Sequence, residues 1–141
     1  MAAAPLRYGP SITLEEAKGV MSAAEAEASR NGWPMVIAIV DTAGRLVMFE
    51  RMDHAQNGSI LIAPEKARTA VDFKRPTKAL QDAVAQGGVN LRLLGAPNIL
   101  AMEGGLPIMR NGEIIGGIGV SGMSSNQDAQ VAEAGLAALL E

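Results

Sequence analysis

Along the chain, apolar residues change their spacing several times, and each change marks a boundary. Leu14, Ala17, Met21, Ala24 and Ala28 recur at three- and four-residue steps behind Thr13-Leu14-Glu15-Glu16, which has the form of a capping box. The pattern predicts an amphipathic helix that stops at Asn31-Gly32, with Pro34 just beyond to prevent continuation. Met35 to Val40 is then unbroken apolar and largely β-branched, as expected of a central strand covered on both faces. Asp41-Thr42-Ala43-Gly44 reads as a turn, Arg45 to Met52 as the returning strand, and Asp53 to Gly58 as a polar loop.

Ser59 to Phe73 has helical composition, with Pro64 either opening the regular helix or kinking it. Ala67, Ala70 and Val71 form its small-residue packing face. A second short helix is expected from Pro76-Thr77 to about Val84, ended by Gly87-Gly88. Val89 to Pro97 carries no clear period and is left unassigned. Ile99 to Met102 reads as a short strand, Glu103-Gly104-Gly105 as a turn, and Leu106 to Arg110 as another strand, where Pro107 must face an edge or a gap. Asn111-Gly112 is the strongest hairpin signal, because a type I′ turn needs positive φ at both central residues. The last strand runs from Glu113 to Val120. Ser125-Asn126-Gln127-Asp128 offers a second capping box for a terminal helix with Val131, Leu136, Leu139 and Leu140 as apolar contacts. Two hairpins without βαβ alternation argue for an α+β layered domain, an antiparallel sheet with helices packed against it.

Composition narrows the function classes. The 141 residues suit one domain, residues 1–141, with 1–10 as a flexible N-terminal arm. Hydrophobic residues at 48% against 19% charged exclude a disordered chain. Aromatic content of 3% and a formal charge of -3 argue against a nucleic-acid partner, which needs stacking platforms and a basic surface. Cysteine is absent, which removes thiol nucleophiles and disulfides and suits a reducing compartment. Met1 to Arg7 lacks a signal-peptide pattern, and the longest apolar run is far below the ~20 residues that span a bilayer, so a cytoplasmic location without membrane partners is expected.

The candidate chemistry is sparse. Gly117-Ile118-Gly119-Val120-Ser121-Gly122 matches a dinucleotide fingerprint, but no strand with an acidic residue follows within the remaining residues. The glycines read better as sites of close backbone approach, and no nucleotide cofactor is expected. Arg51, Asp53 and His54 gather at a strand end and its loop beside Glu50. His54 is the one side chain with an ordinary pKa near neutrality, and a neighbouring carboxylate can orient it as a general base. Lys66, Arg68, Lys74, Arg75 and Lys78 concentrate positive charge around the middle helices, where a carboxylate-bearing ligand would seek it. One histidine and no cysteine make a poor metal site.

A set of motifs in order resembles a known family. These are Leu14-Glu15-Glu16-Ala17, Ile39-Val40-Asp41-Thr42-Ala43-Gly44, Arg51-Met52-Asp53, Lys66-Ala67-Arg68-Thr69-Ala70 and Arg75-Pro76-Thr77-Lys78-Ala79-Leu80. Gly104-Gly105-Leu106-Pro107-Ile108, Gly116 to Gly122 and Asp128 before Ala132-Glu133-Ala134-Gly135 complete it. Over about Ser11 to Leu140 the chain resembles the GlcG/HbpS-like family, which includes the C-terminal domain of PduO-type proteins. The resemblance implies a profilin-like fold, a central antiparallel sheet of about five strands flanked by helices, and a homo-oligomer. It also implies haem or a related tetrapyrrole as a ligand in some members, with no ligand residue that can be carried over.

Three functions follow as expectations. The first is a cytoplasmic oligomeric binding protein for haem or another anionic apolar molecule, with Lys66 and Arg75 on ligand carboxylates and Asp41 and Arg110 as further ligand contacts. The second is a small-molecule catabolic enzyme of isomerase, lyase or hydratase type. There Asp53 or Glu103 orients His54 or acts as base, and Arg51 anchors a carboxylate or enolate. The third is a non-catalytic partner of a neighbouring catabolic enzyme.

Overall fold

Thr13 caps the first helix as its spacing predicts: Thr13 Oγ1 accepts from the Glu16 N–H at 3.1 Å, and Glu16 Oε1 from the Thr13 N–H at 2.9 Å. In this computed structural model, which describes residues 5–139, that helix, α1, runs Leu14–Asn31 and ends on Gly32 at φ 73°. Strands β2 (Val36–Val40) and β3 (Leu46–Arg51) form the first hairpin. Its turn is held by Asp41, whose Oδ1 accepts from the Ala43 and Arg45 N–H groups at 2.9 and 3.0 Å. Helices α2 (Ser59–Asp72) and α3 (Thr77–Gln86) follow, with Pro64 inside α2 without ending it. The unassigned stretch contains a 3-10 helix over Gly88–Leu94. Strands β4 (Gly105–Arg110) and β5 (Glu113–Ser121) form the second hairpin, with Asn111 at φ 52° and Gly112 at φ 78° as the turn chemistry demands. Helix α4 covers Ser125–Ala137.

The sheet has five strands, of which a two-residue N-terminal strand, β1 (Arg7–Tyr8), pairs parallel with β5 while every other pairing is antiparallel. The segment read as an arm is thus fastened from Leu6 onward. Tyr8 Oη donates to the Val71 carbonyl at 2.7 Å and Lys74 Nζ to the Leu6 carbonyl at 2.8 Å. Strand β5 is the spine, with β4 on one edge and β1 and β2 sharing the other.

Alternation along β2 builds two cores. Ile37 and Ile39 join Val20, Met21 and Ala24 of α1, Ile118 and Val120 of β5, and Val131 and Ala132 of α4. Val36, Ala38 and Val40 face the other way onto Ala63, Ala67 and Val71 of α2. Complete burial of each such Ile or Val contributes about 1.5–3 kcal/mol against exposure. On the α2 face, β5 presents glycine. A Cβ at Gly119 would lie 2.0 Å from the Ala63 carbonyl oxygen, and one at Gly117 2.6 Å from that of Ala67. The fingerprint glycines therefore seat a helix directly on the sheet.

Two local expectations are corrected. Ile99–Met102 forms no strand: within it the Leu100 N–H donates to Thr69 Oγ1, and just beyond it the Glu103 N–H donates to Gln81 Oε1. The cap of α4 is Ser124, one residue earlier than read, which places Asp128 within the first turn and frees its carboxylate for other work. Leu140 lies outside the described residues, whereas Leu136 and Leu139 pack on the core as expected.

Candidate functional site

The end of α1 and the end of β3 meet in a surface cleft of about 310 Å³. The Trp33 N–H donates to the Ala28 carbonyl at 2.9 Å, which turns the chain off the helix and sets the indole and Pro34 as one wall. Across from it the Met52 N–H donates to the Met35 carbonyl at 2.9 Å, and the Ala55 N–H closes a tight turn on the Met52 carbonyl at 3.1 Å. That turn leaves His54 at φ 71°, a left-handed conformation a non-glycine residue holds only where its surroundings impose it, and exposed in the cleft with Asp53. Met52 and Asp53 also line an adjoining cleft of about 370 Å³ with Glu25, Glu50 and Arg51. Arg51 Nη2 donates to Asn57 Oδ1 at 2.8 Å, which holds the guanidinium against the loop.

Burial, and then the hydrogen bond and charge of Glu25, push the Glu50 carboxyl up to about 7. Between its ordinary value near 4.5 and about 7 the folded chain keeps a proton that the unfolded chain has lost, so this group makes stability fall as pH rises through that window. Glu50→Gln carries no charge at any pH. It is expected to flatten that slope in thermal melts and to raise the melting temperature more at about pH 8 than at about pH 5. The same slope in the variant would place the proton elsewhere.

The structure brings Arg51, Asp53 and His54 together but not Glu103, which lines a separate cleft with Lys78 and shares no lining residue with His54. The expected basic field is dispersed. Lys66 is 1% exposed and directs its ammonium to Asp128 Oδ2 and the Val120 carbonyl, both at 2.9 Å, rather than to a cleft. Arg75 is exposed and its Nε donates to the Phe73 carbonyl, without meeting Lys66. Arg68 pairs with Glu65 and Lys78 with Asp82. Lys74 sits 4.9 Å over the Tyr8 ring. Asp41 is a turn former, and Arg110 ties β4 to α1 through Glu16 and the Pro10 carbonyl, and neither lines the clefts described above. The Arg110 hydrogen bond holds the Glu16 carboxyl below its ordinary range.

Sequence reasoning missed Trp33, Met52, Glu25 and Asp128 as parts of these clusters. For Lys66 a signal existed: Ala63, Lys66, Ala67 and Ala70 form one helical stripe, and a lysine inside a small-residue stripe is a buried lysine. Burial raises the Asp128 carboxyl above its ordinary range even against the adjacent ammonium, as a desolvated ion pair does.

Comparison with known proteins agrees with this architecture. The model of the family described as haem degrading protein HbpS-like matches residues 12–137. Protein GlcG of Escherichia coli K12 is 38% identical over 110 residues, 78% of this chain and 81% of that protein. The crystal structure of HbpS superposes with TM-score 0.85 at 35% identity, covering 99% of both chains. That of the PduOC–haem complex does so with TM-score 0.83 at 33% identity, covering 91% of this chain and 94% of the other. A match across nearly the whole chain, in sequence and in fold, makes this protein a member of the HbpS-like family.

Proposed function

We propose that the chain is a small-ligand-binding protein, a cytoplasmic homo-oligomer whose cleft at Trp33, Met52 and His54 takes haem or another flat, apolar, acid-bearing molecule. The observation that carries this reading is the position of the one histidine, exposed in a cleft wall beside an indole and a thioether. The likeness to PduOC, crystallised with haem, supports it. The residues fit a tetrapyrrole in donor chemistry. The His54 imidazole is a usual ligand type for haem iron, Trp33, Pro34 and Met52 offer apolar cover, and Arg51 is a nearby cation for an acid group. A bound haem would supply a redox-active iron at that imidazole. A protonated Glu50 lessens the negative charge an acid group would meet. The cleft is too shallow to enclose such a ligand, so a neighbouring copy would cover the rest. Exposed Leu46 and Phe49 on β3, which among the described residues pairs only with β2, give that copy an apolar edge to cover. No helix among the described residues is long and apolar enough to cross a membrane.

Titration with haem is expected to give a saturable Soret band, and His54→Ala to shift that band and weaken binding by about tenfold or more, ~1.4 kcal/mol. No saturable band in the unaltered protein would remove haem, and an unchanged band in the variant would remove His54. A second reading, proton transfer on a small substrate, is favoured by one observation: Glu50 holds a proton near neutrality in a cleft continuous with Asp53 and His54. Retained turnover in Glu50→Gln with any accepted substrate would exclude it.

A further inference from the structure

The sheet ends on β4 at one side and on β3 at the other, and the two edges are finished differently. Strand β4 carries Pro107, and proline blunts an edge against further pairing. Strand β3, Leu46–Arg51, contains neither proline nor lysine. In an antiparallel ladder, alternate residues turn their backbone N–H and C=O groups to the same neighbour. The Met52 N–H donates to the Met35 carbonyl, so Glu50 and Met48 also face β2, whereas Phe49 and Arg51 turn theirs to the open side. Both side chains lie on the α2 face, opposite Ala38 and Val36, and α2 leaves Phe49 39% exposed and Leu46 55%. Val47 is a bulge, which confines regular pairing to Met48–Arg51.

The charges around this edge say what covers it. Arg45 stands four positions before Phe49 and Asp53 four positions after it, both exposed, and neither has an opposite charge within 4.0 Å among the described residues. At ~3.3 Å per residue they are too far apart to meet within one chain. A second β3 running antiparallel, with its two-fold axis at Phe49, sets each Arg45 beside Asp53 of the other copy. The Val47 bulge takes up one residue of that spacing, which the length of an arginine side chain spans. The same axis sets Phe49 against Phe49 as an aromatic cross-strand pair, and Met48 against Glu50. An axis at Glu50 or at Arg51 would instead put like charges directly opposite each other, which is destabilising. One register therefore satisfies the open backbone groups, the exposed rings and the two unpaired charges together. Met52 and Asp53 line both clefts at the end of this edge, so the arriving Arg45 enters the candidate site itself.

We propose that two copies of the chain join edge to edge through β3, antiparallel about Phe49, and that Arg45 of the second copy completes the cleft at Asp53 as a second cation beside Arg51. This pairing rests on the reading of the chain as a homo-oligomer and names the face that makes it. The test is sedimentation velocity of the full chain over a concentration series, without ligand. Phe49→Lys is expected to lower the mass of the assembly at least about twofold, with unchanged far-ultraviolet circular dichroism. Arg45→Glu and Asp53→Arg should each weaken assembly about tenfold, and the two together should restore it to within about threefold of the unaltered chain. An unchanged mass in Phe49→Lys would mean that the copies meet through another face and would overturn the pairing. A double charge variant no tighter than either single one would do the same. A chain that stays monomeric at every concentration removes the homo-oligomer itself, and the pairing with it. Haem plays no part in the measurement, so failure of that ligand leaves the result standing.

Discussion

Lys66→Met is expected to cost about 3–5 kcal/mol of stability, because it keeps the aliphatic volume but leaves a buried carboxylate without its cation. For a chain of 141 residues that is a fall of roughly 10–15 °C in melting temperature. Asp128 is 2% exposed and would retain the Met123 N–H at 3.0 Å as a partner, while the Val120 carbonyl would lose its donor. The carboxyl already resists ionisation through burial, and removing the ammonium raises it further. The folded variant therefore takes up a proton that the unfolded chain does not hold, and its deficit should shrink as pH falls toward the acid range. Thermal melts at about pH 8 and about pH 5 check the sign. The double variant Lys66→Met, Asp128→Leu should recover most of the loss, since an apolar pair of similar volume has no charge to desolvate. A single-variant deficit below about 1 kcal/mol at the higher pH would mean that the pair is solvated and contributes as a surface bridge does.

Gly119→Ala is expected to be as damaging for a different reason. Its Cβ would stand 2.0 Å from the Ala63 carbonyl oxygen and 2.6 Å from the Ala67 nitrogen, backbone atoms that move only if α2 lifts off the sheet. Overpacking of this kind costs about 3 kcal/mol or more, or prevents folding altogether. Gly19→Ala is the matched control: Gly19 lies in α1, nothing approaches its Cβ position within 4 Å, and alanine should stabilise by about 0.5–1 kcal/mol. Denaturant midpoints for the two variants should move in opposite directions. Equal shifts would mean that the contact of α2 with β5 is looser than its geometry.

Most of the element order was readable because the local signals did not compete. The Thr13 cap, the β-branched run of Val36–Val40 and the positive-φ pair at Asn111-Gly112 each name one conformation from a few residues. The family resemblance carried the layer arrangement, which the two hairpins allowed independently. What stayed hidden depends on distant partners. Ile99–Met102 has the composition of a strand, yet Thr69 takes the Leu100 N–H and Gln81 the Glu103 N–H just after it, both from preceding helices. Lys66 and Asp128 are 62 positions apart, so no spacing rule joins them. The basic residues clustered in sequence around α2 and α3 separated in space because each found a different acceptor. Of the candidate site, Arg51, Asp53 and His54 were legible as neighbours on one strand end, whereas Trp33 and Glu25 reach it only through the crossing of α1 over β3.

The position of β5 as the spine also constrains how the fold can arise during synthesis. Strands β1, β2 and β4 all pair with residues 113–121, so a growing chain can close only the β2–β3 hairpin until those residues have been made. Helix α2 can meet β2 earlier, but its seat on the sheet is complete only once Gly117 and Gly119 are in place. Such long-range closure slows folding and leaves the apolar Val36–Val40 strand with one hydrogen-bonding edge unpaired for most of elongation. The nascent chain should therefore be most prone to misassociation just before its last strand emerges, and a fragment ending near residue 110 should aggregate where the full chain folds.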